Sequence, residues 1–369
     1  GSTIRIDTKL EASRFDVDEM TASRGHDYVF SGEVFPLLAD LLGTLPSRVE
    51  GDVKLSVTSL VFGGEVLDGV KLHAEIEQDR LRINTLEGSM PGQTRGRFVG
   101  SFLPAGSASQ LSGDVQLNSL SLRDFVNWAA ADYRKEVVKV WSGARGRLKL
   151  DGKLDVVSNR TRLSDGQFTF DDAVGSGNFL IAGGDEPALS ARIVVDSLNI
   201  DRYAPGGLTS EAIDAGLLAG AVDLAGKAMQ AGEFGLKLQA DFLTLHGVTG
   251  EDIAIDIAAN ADGIEFRTVE IGRVGDARLD VAGLLSFPES GVAGAITADV
   301  EAKDPRGLLR LLGLVGGDRK KQPAWVGALG PLDVKVSGEA KADQGITSSV
   351  LAIKGIAGAT EVDLNGRFR

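Results

Sequence analysis

Alternation of apolar and polar residues with a period of two constrains this chain more than any other feature. From Gly146 the sequence reads Arg147-Leu148-Lys149-Leu150-Asp151-Gly152-Lys153-Leu154-Asp155-Val156, with every even residue apolar or glycine and every odd one charged. Successive side chains of a strand point to opposite faces of a sheet, so this segment presents one apolar face and one solvated face. The pattern returns in Val70-Lys71-Leu72-His73-Ala74-Glu75-Ile76, in Ile253-Ala254-Ile255-Asp256-Ile257 and in Leu332-Asp333-Val334-Lys335-Val336. One-sided strands are therefore expected along the whole chain.

The pattern also repeats on a longer scale. Gly-x-apolar-x-apolar starts fall at Gly51, Gly146, Gly232 and Gly330, separated by 95, 86 and 98 residues. Such spacing suggests divergent modules: a partial one to residue 46, then 47–142, 143–228, 229–326 and a partial 327–369. Single glycines between short alternating segments, 48 in all with only 10 prolines, argue for strands joined by turns and against a disordered chain. A second marker, apolar-x-apolar-x-Asp, precedes the expected helices at Phe15 to Asp18, Leu120 to Asp124, Leu198 to Asp201 and Val300 to Asp304. The spacing of Leu122, Phe125, Ala129, Tyr133, Val137 and Trp141 predicts an amphipathic helix with Ser121 as N-cap. Asp304-Pro305 predicts a second helix, with proline at N1, running through Leu308 to Leu312 and stopping near Gly316-Gly317. Phe35 to Leu45 and Ser210 to Leu218 are weaker helix candidates.

These signals predict a mostly β chain: an elongated, curled antiparallel sheet of about two dozen strands, with an apolar concave face and a few short amphipathic helices. Sheets that long curl or split. Closed sandwiches that hide their apolar faces against one another would satisfy the same periodicity.

Composition excludes several function classes. The net charge of −13 argues against nucleic acid, whose binding requires a basic face. Absence of cysteine excludes disulfides, zinc thiolates and thiol nucleophiles. No run of about 18 uncharged apolar residues occurs, so no spanning helix is expected. Gly1-Ser2 reads as the scar of a cleaved tag, which leaves room for a native signal or anchor upstream.

No constellation for catalysis is found. His26, His73 and His246 are scattered and lack a metal-ligand partner at the usual spacing, and neither a Gly-x-Ser-x-Gly elbow nor a P-loop is present. Asp16-Val17-Asp18-Glu19 and Asp171-Asp172 lack the Gly and Glu of a calcium loop and read as solvated turns. No catalytic residue, metal or cofactor is assigned.

What remains is an aliphatic stripe able to hold hydrocarbon: Val70, Leu72, Ile76, Leu81, Ile83, Leu148, Leu150, Leu154, Val156, Ile253, Ile255, Ile257, Leu332, Val334 and Val336. Trp128, Tyr133 and Trp141 on the first predicted helix, and Arg310, Lys320, Lys321 and Trp325 in or after the second, are candidate edge or membrane contacts.

The layout resembles the AsmA family of Gram-negative envelope proteins. The likeness rests on Gly51 to Leu60, Asp68 to Leu72, Asp79 to Ile83, the Gly88 to Gly96 turn region and Gly96-Arg97-Phe98-Val99-Gly100. The run returns about 183 residues later in Gly250 to Ile253, Asp262 to Phe266, Val269 and Gly275 to Val281. The resemblance implies an inner-membrane protein anchored by an N-terminal helix, with a periplasmic body of repeating β-grooves similar to bridge-like lipid transfer proteins. It further implies phospholipid or another acyl-chain lipid as ligand and a part in outer-membrane lipid homeostasis. A non-catalytic scaffold that docks envelope proteins on its sheet edges is the alternative expectation.

Overall fold

The computed structural model describes residues 4–21, 49–77, 80–104, 109–129, 146–157, 160–183, 188–202, 232–288, 292–312, 330–343 and 346–368. The chain divides into two compact units, Gly1–Asp185 and Glu186–Arg369. Strands dominate both, and the described helices are short.

Unit 1 holds β1 (Ile4–Arg5), β2 (Thr8–Asp16), α1 (Val17–Thr21), β3 (Val49–Phe62), β4 (Glu65–Glu77), β5 (Arg80–Met90), β6 (Thr94–Leu103) and β7 (Gln110–Ser119). It continues with α2 (Leu122–Ala129), β8 (Leu148–Val157), β9 (Arg160–Phe170) and β10 (Ala173–Ala182). From β3 to β10 each strand pairs antiparallel with the next. At the other edge β1 and β2 both run parallel to β3. Parallel neighbours need a crossover of a dozen or more residues, and 17–48 supply it.

Unit 2 repeats this plan with β11 (Ala188–Asn199), a 3-10 turn (Ile200–Arg202), β12 (Glu233–Leu245), β13 (Val248–Asn260), β14 (Gly263–Val274), β15 (Ala277–Ser286) and β16 (Ala293–Ala302). It ends in α3 (Arg306–Leu311), β17 (Leu332–Asp343), β18 (Ile346–Ala357) and β19 (Thr360–Phe368). Here β11 runs parallel to β12, and β12 to β19 form an antiparallel ladder. Among the described residues no register joins β2 to β10 or β11 to β19, so each ladder is open. The described strands number nineteen, fewer than the two dozen expected, because hairpins of 10 to 14 residues per strand are common here.

The two units are copies at a constant offset. Left-handed backbone occurs at Gly63, Gly64, Gly69 and Gly92 in unit 1 and at His246, Gly247, Asp252 and Gly275 in unit 2, each pair 183 residues apart. The two-residue turns Gly63-Gly64 and His246-Gly247 place both residues at positive φ, the geometry that matches the twist of a tight hairpin. Each turn is clasped by an aspartate that follows the parallel edge strand. Gly63 and Gly64 N–H donate to Asp18 at 2.9 and 2.8 Å, and His246 and Gly247 N–H donate to Asp201 at 2.7 and 2.8 Å. Asp18 and Asp201 are also 183 apart. Each locks the start of its crossover to the first hairpin of its unit.

The helices begin where capping chemistry places them. Ser121 Oγ donates to Asp124 at 2.7 Å, and the Asp124 N–H points back to Ser121 Oγ at 3.4 Å, which fixes the first turn of α2. The remainder of that predicted helix, with Tyr133 and Trp141, lies outside the described residues. In α3, Pro305 is the N-cap rather than the first helical residue, and Asp304 accepts the Arg306 N–H at 3.1 Å. The predicted helices at Phe35 to Leu45 and Ser210 to Leu218 also lie outside the described residues. Among the described residues no helix is long and apolar enough to cross a membrane.

The clasp yields a stability prediction. Asp18→Ala or Asp201→Ala leaves two hairpin N–H groups without their charged acceptor, so each should destabilise its unit by about 1–3 kcal/mol. Urea unfolding should show this, while Lys335→Gln, which removes only an exposed ion pair on β17, should leave the midpoint nearly unchanged.

Candidate functional site

Register decides which side chains share a face. In unit 1 one row runs Leu55, Leu72, Leu86, Phe98, Val115 and Gly152 across β3 to β8. A second runs Ala74, Ile83, Gly100, Gly113, Leu154, Leu163 and Phe179, and a third Ile76, Leu81, Phe102, Leu111 and Val156. Leu150 faces Leu117 and Phe168, and Leu148 faces Ser119 and Phe170, on the same side. Unit 2 carries the matching row Leu238, Ile255, Val269, Val281, Ala298, Val336, Ile353 and Leu364. Ile253 and Val334 stand in the row beside it, and Ile257 on its other flank. Leu332 lies opposite Ala302 at the α3 end. The predicted stripe thus becomes two apolar faces, one per unit.

The opposite faces are charged. Lys237 pairs with Asp256 at 2.6 Å, Lys335 with Asp299 at 3.3 Å and Lys71 with Glu87 at 3.4 Å, each across a strand boundary. These exposed pairs keep that side solvated and add little stability individually.

No second sheet lies over either apolar face within its unit among the described residues. The sandwich arrangement is therefore not the one adopted inside a unit. Most predicted stripe residues are half-buried, and only Ile83, Val156, Ile253 and Val334 fall in the buried class. Leu10, Leu86 and Ile181 in unit 1, and Leu351 and Leu364 in unit 2, lie on the apolar faces and are exposed. Curl and large side chains bury the middle of unit 1: Phe102 is fully buried, packed with Ile83 and Phe98 and flanked by Leu72, Leu81, Leu111, Val115 and Leu154. The Phe98 ring covers the paired Gly100 and Gly113, where an added Cβ would stand 2.8 Å from its ring tip.

One end of each apolar face is closed by a helix. In unit 1, Trp128 packs with Leu67 and Ala129 against Leu60, Phe62, Val70, Met90 and Phe125, and its indole N–H donates to Phe62 O at 3.1 Å. Trp128 is therefore part of this buried cover. In unit 2, Leu308 and Leu311 of α3 fill the equivalent place and are buried. Beside the Trp128 cover lies an open apolar hollow of about 280 Å³, lined by Leu60, Phe62, Leu67, Val70, Leu86, Met90, Phe98, Val115 and Leu117. Of the predicted stripe, only Val70 lines it. A larger hollow of about 680 Å³ lies over Lys71, Glu87, Arg95, Arg97, Lys149 and Asp151 and is unsuited to hydrocarbon.

Sequence spacing missed the polar cluster Asp52, His73 and Glu75, whose ligand atoms lie within 4.8 Å of one another. Hairpin register brings Asp52 opposite Glu75 and Lys54 opposite His73, a juxtaposition invisible in linear order. Lys54 lies 3.0 Å and His73 Nε2 2.6 Å from Asp52, while Asn84 donates to Glu75 at 2.8 Å and Arg82 stands 3.8 Å away. The carboxylates are already matched by cations, and we assign no metal there. The acidic runs read as solvated turns prove to be staples: Asp16 accepts the Glu19 N–H at 2.9 Å and Asp171 the Arg147 N–H at 2.8 Å. Lys320, Lys321 and Trp325 lie outside the described residues, as does His26.

No family model, curated protein or solved structure matches this chain.

Hydrogen bonds from His73 and then Lys54 hold the Asp52 carboxyl below its ordinary range. A depressed carboxyl contributes stability above its unfolded pKa, and that contribution is lost as pH falls through the folded value. His73→Gln should raise the Asp52 titration midpoint toward the usual carboxylate range, as read by carbon NMR. An unmoved midpoint would show that His73 does not hold it.

Proposed function

We propose that this chain is a non-catalytic lipid-binding protein that holds acyl chains on the apolar face of the open ladder in each unit. The supporting observation is an aliphatic face that runs across each ladder, has no second sheet above it within its unit among the described residues and exposes large residues such as Leu86, Leu351 and Leu364. Water on such a surface is costly, and each methylene that covers it contributes about 0.8 kcal/mol. A single chain laid along a row of Leu, Val and Ile can gain several kcal/mol without a specific polar contact.

The aliphatic lining suits flexible chains of varied length, because it offers shape tolerance and few directional partners. Phospholipid is the ligand class we favour. The wider setting follows the AsmA resemblance: a periplasmic body, attached to the inner membrane through a segment upstream of this sequence, that moves lipid in support of the outer membrane. Repetition of one grooved unit at a 183-residue offset fits a protein whose reach grows by adding copies.

Lipid extraction and native mass spectrometry of the purified protein should find bound phospholipid, and fluorescent phospholipid should transfer to lipid-stripped protein. Leu150→Asp and Ile255→Asp should each reduce that uptake at least several-fold while preserving the far-ultraviolet circular dichroism, because both side chains are only half-buried. Protein that is isolated without lipid and takes up none would refute the function. Unfolding by both variants would mean that the faces are sealed cores.

A further inference from the structure

The two copies differ in the polar groups around their first hairpin. At the first hairpin of unit 1 the structure has Asp16, Gly63 and, on α2, Asn127; the positions 183 residues on are Asn199, His246 and Arg310. Each of the three unit 2 side chains has a buried polar atom without a partner: Asn199 Oδ1, His246 Nε2 and Arg310 Nε. Buried polar atoms are normally satisfied, so three together leave hydrogen-bonding capacity that a ligand can take up.

They also converge. His246 Nδ1 donates to the carbonyls of Arg310 and Leu311 at 3.2 and 3.1 Å, which ties the imidazole to the end of α3. An Arg310 terminal nitrogen folds back to 3.8 Å from where a Cβ on Gly247 would stand. Asn199 pairs with Thr244, two residues before His246. Both oxygens of the nearby Asp201 are taken by turn N–H groups, and Arg310 has no ion pair among the described residues.

His246 holds its place against a local cost. It sits at φ +54, a left-handed conformation that is free for the glycine of unit 1 but strained for a side chain.

We propose that Asn199, His246 and Arg310 bind a phosphate ester, specifically the headgroup of a lipid whose chains lie on the unit 2 apolar face; the lipid part rests on the function proposed above. The guanidinium Nε–H is a charge-assisted donor for a phosphate oxygen. Asn199 Oδ1 accepts from a hydroxyl or ammonium carried by the ester, as in glycerol or ethanolamine headgroups. His246 Nε2 takes whichever role the ligand leaves open. The position suits a headgroup, because the adjacent Leu311 packs near Ile253 and Ile271 of the apolar face.

The test reverts the site to its unit 1 counterpart, a combination the fold already tolerates: Asn199→Asp, His246→Gly and Arg310→Asn together, with circular dichroism as the check on folding. Glycerol 3-phosphate should shift the His246 imidazole signals in the unaltered chain, and the reverted chain should bind it at least roughly tenfold more weakly. Phosphatidylglycerol should be taken up several-fold better than diacylglycerol by the unaltered chain, and reversion should abolish that preference while diacylglycerol uptake stays the same. Binding of glycerol 3-phosphate without any lipid preference would overturn the headgroup assignment in favour of a soluble phosphate ester. No His246 shift, with equal uptake of both lipids by both proteins, would overturn the site and leave the apolar-face function standing. Uptake of neither lipid would remove that function, and the soluble ester would then decide the site alone. Should the triple variant not fold, Arg310→Gln replaces it with the same criteria.

Discussion

A strand in an open ladder satisfies its backbone through its neighbours but leaves two faces of side chains to be dealt with separately. In this protein one face is solved by charge, with Lys, Arg, Asp and Glu in cross-strand pairs. The other is aliphatic, and among the described residues of each unit it is met by curl, by large side chains such as Phe98 and Phe102 in unit 1, and by a helix at one end. Apolar surface left to water is the interaction on which the rest of the structure depends, because it drives the curl and invites hydrocarbon.

Duplication gives that arrangement its regularity. Left-handed turn residues, the aspartate clasps and the helix covers recur at a common offset, so the same local chemistry builds the same ladder twice. Against this common background, differences are informative. Trp128 in unit 1 and Leu311 in unit 2 are two ways of filling one apolar place. Replacement of a strain-free glycine by His246, with Arg310 and Asn199 beside it, adds polar groups that the ladder itself does not use.

The faces were legible in the sequence because a side-chain period of two survives any detail of pairing. Val70, Leu72, Ile255 and Val336 belong to an apolar face by alternation alone, and strand register only sorts them into rows. The 183-residue recurrence was legible too, through Asp68 to Leu72 and Gly250 to Ile253. Pairing between strands was not. Asp52, Lys54, His73 and Glu75 meet only because β3 and β4 take one register, and linear spacing carries no sign of it. The parallel edges β2–β3 and β11–β12 were missed for a related reason, since alternation is identical in parallel and antiparallel strands. The role of Asp18 and Asp201 was hidden as well, because a carboxylate that clasps a distant turn reads in sequence like any solvated acid.

The central claim is that the aliphatic rows stay available to guest chains. Photocrosslinking with phospholipid carrying a diazirine in its acyl chain, followed by peptide mass spectrometry, tests it most directly. Adducts are predicted on the rows containing Leu72, Leu86, Val269 and Leu351, and not on the charged face around Lys71, Glu87, Lys237 and Asp256. Adducts spread evenly over both faces, or none at all in correctly folded protein, would contradict it.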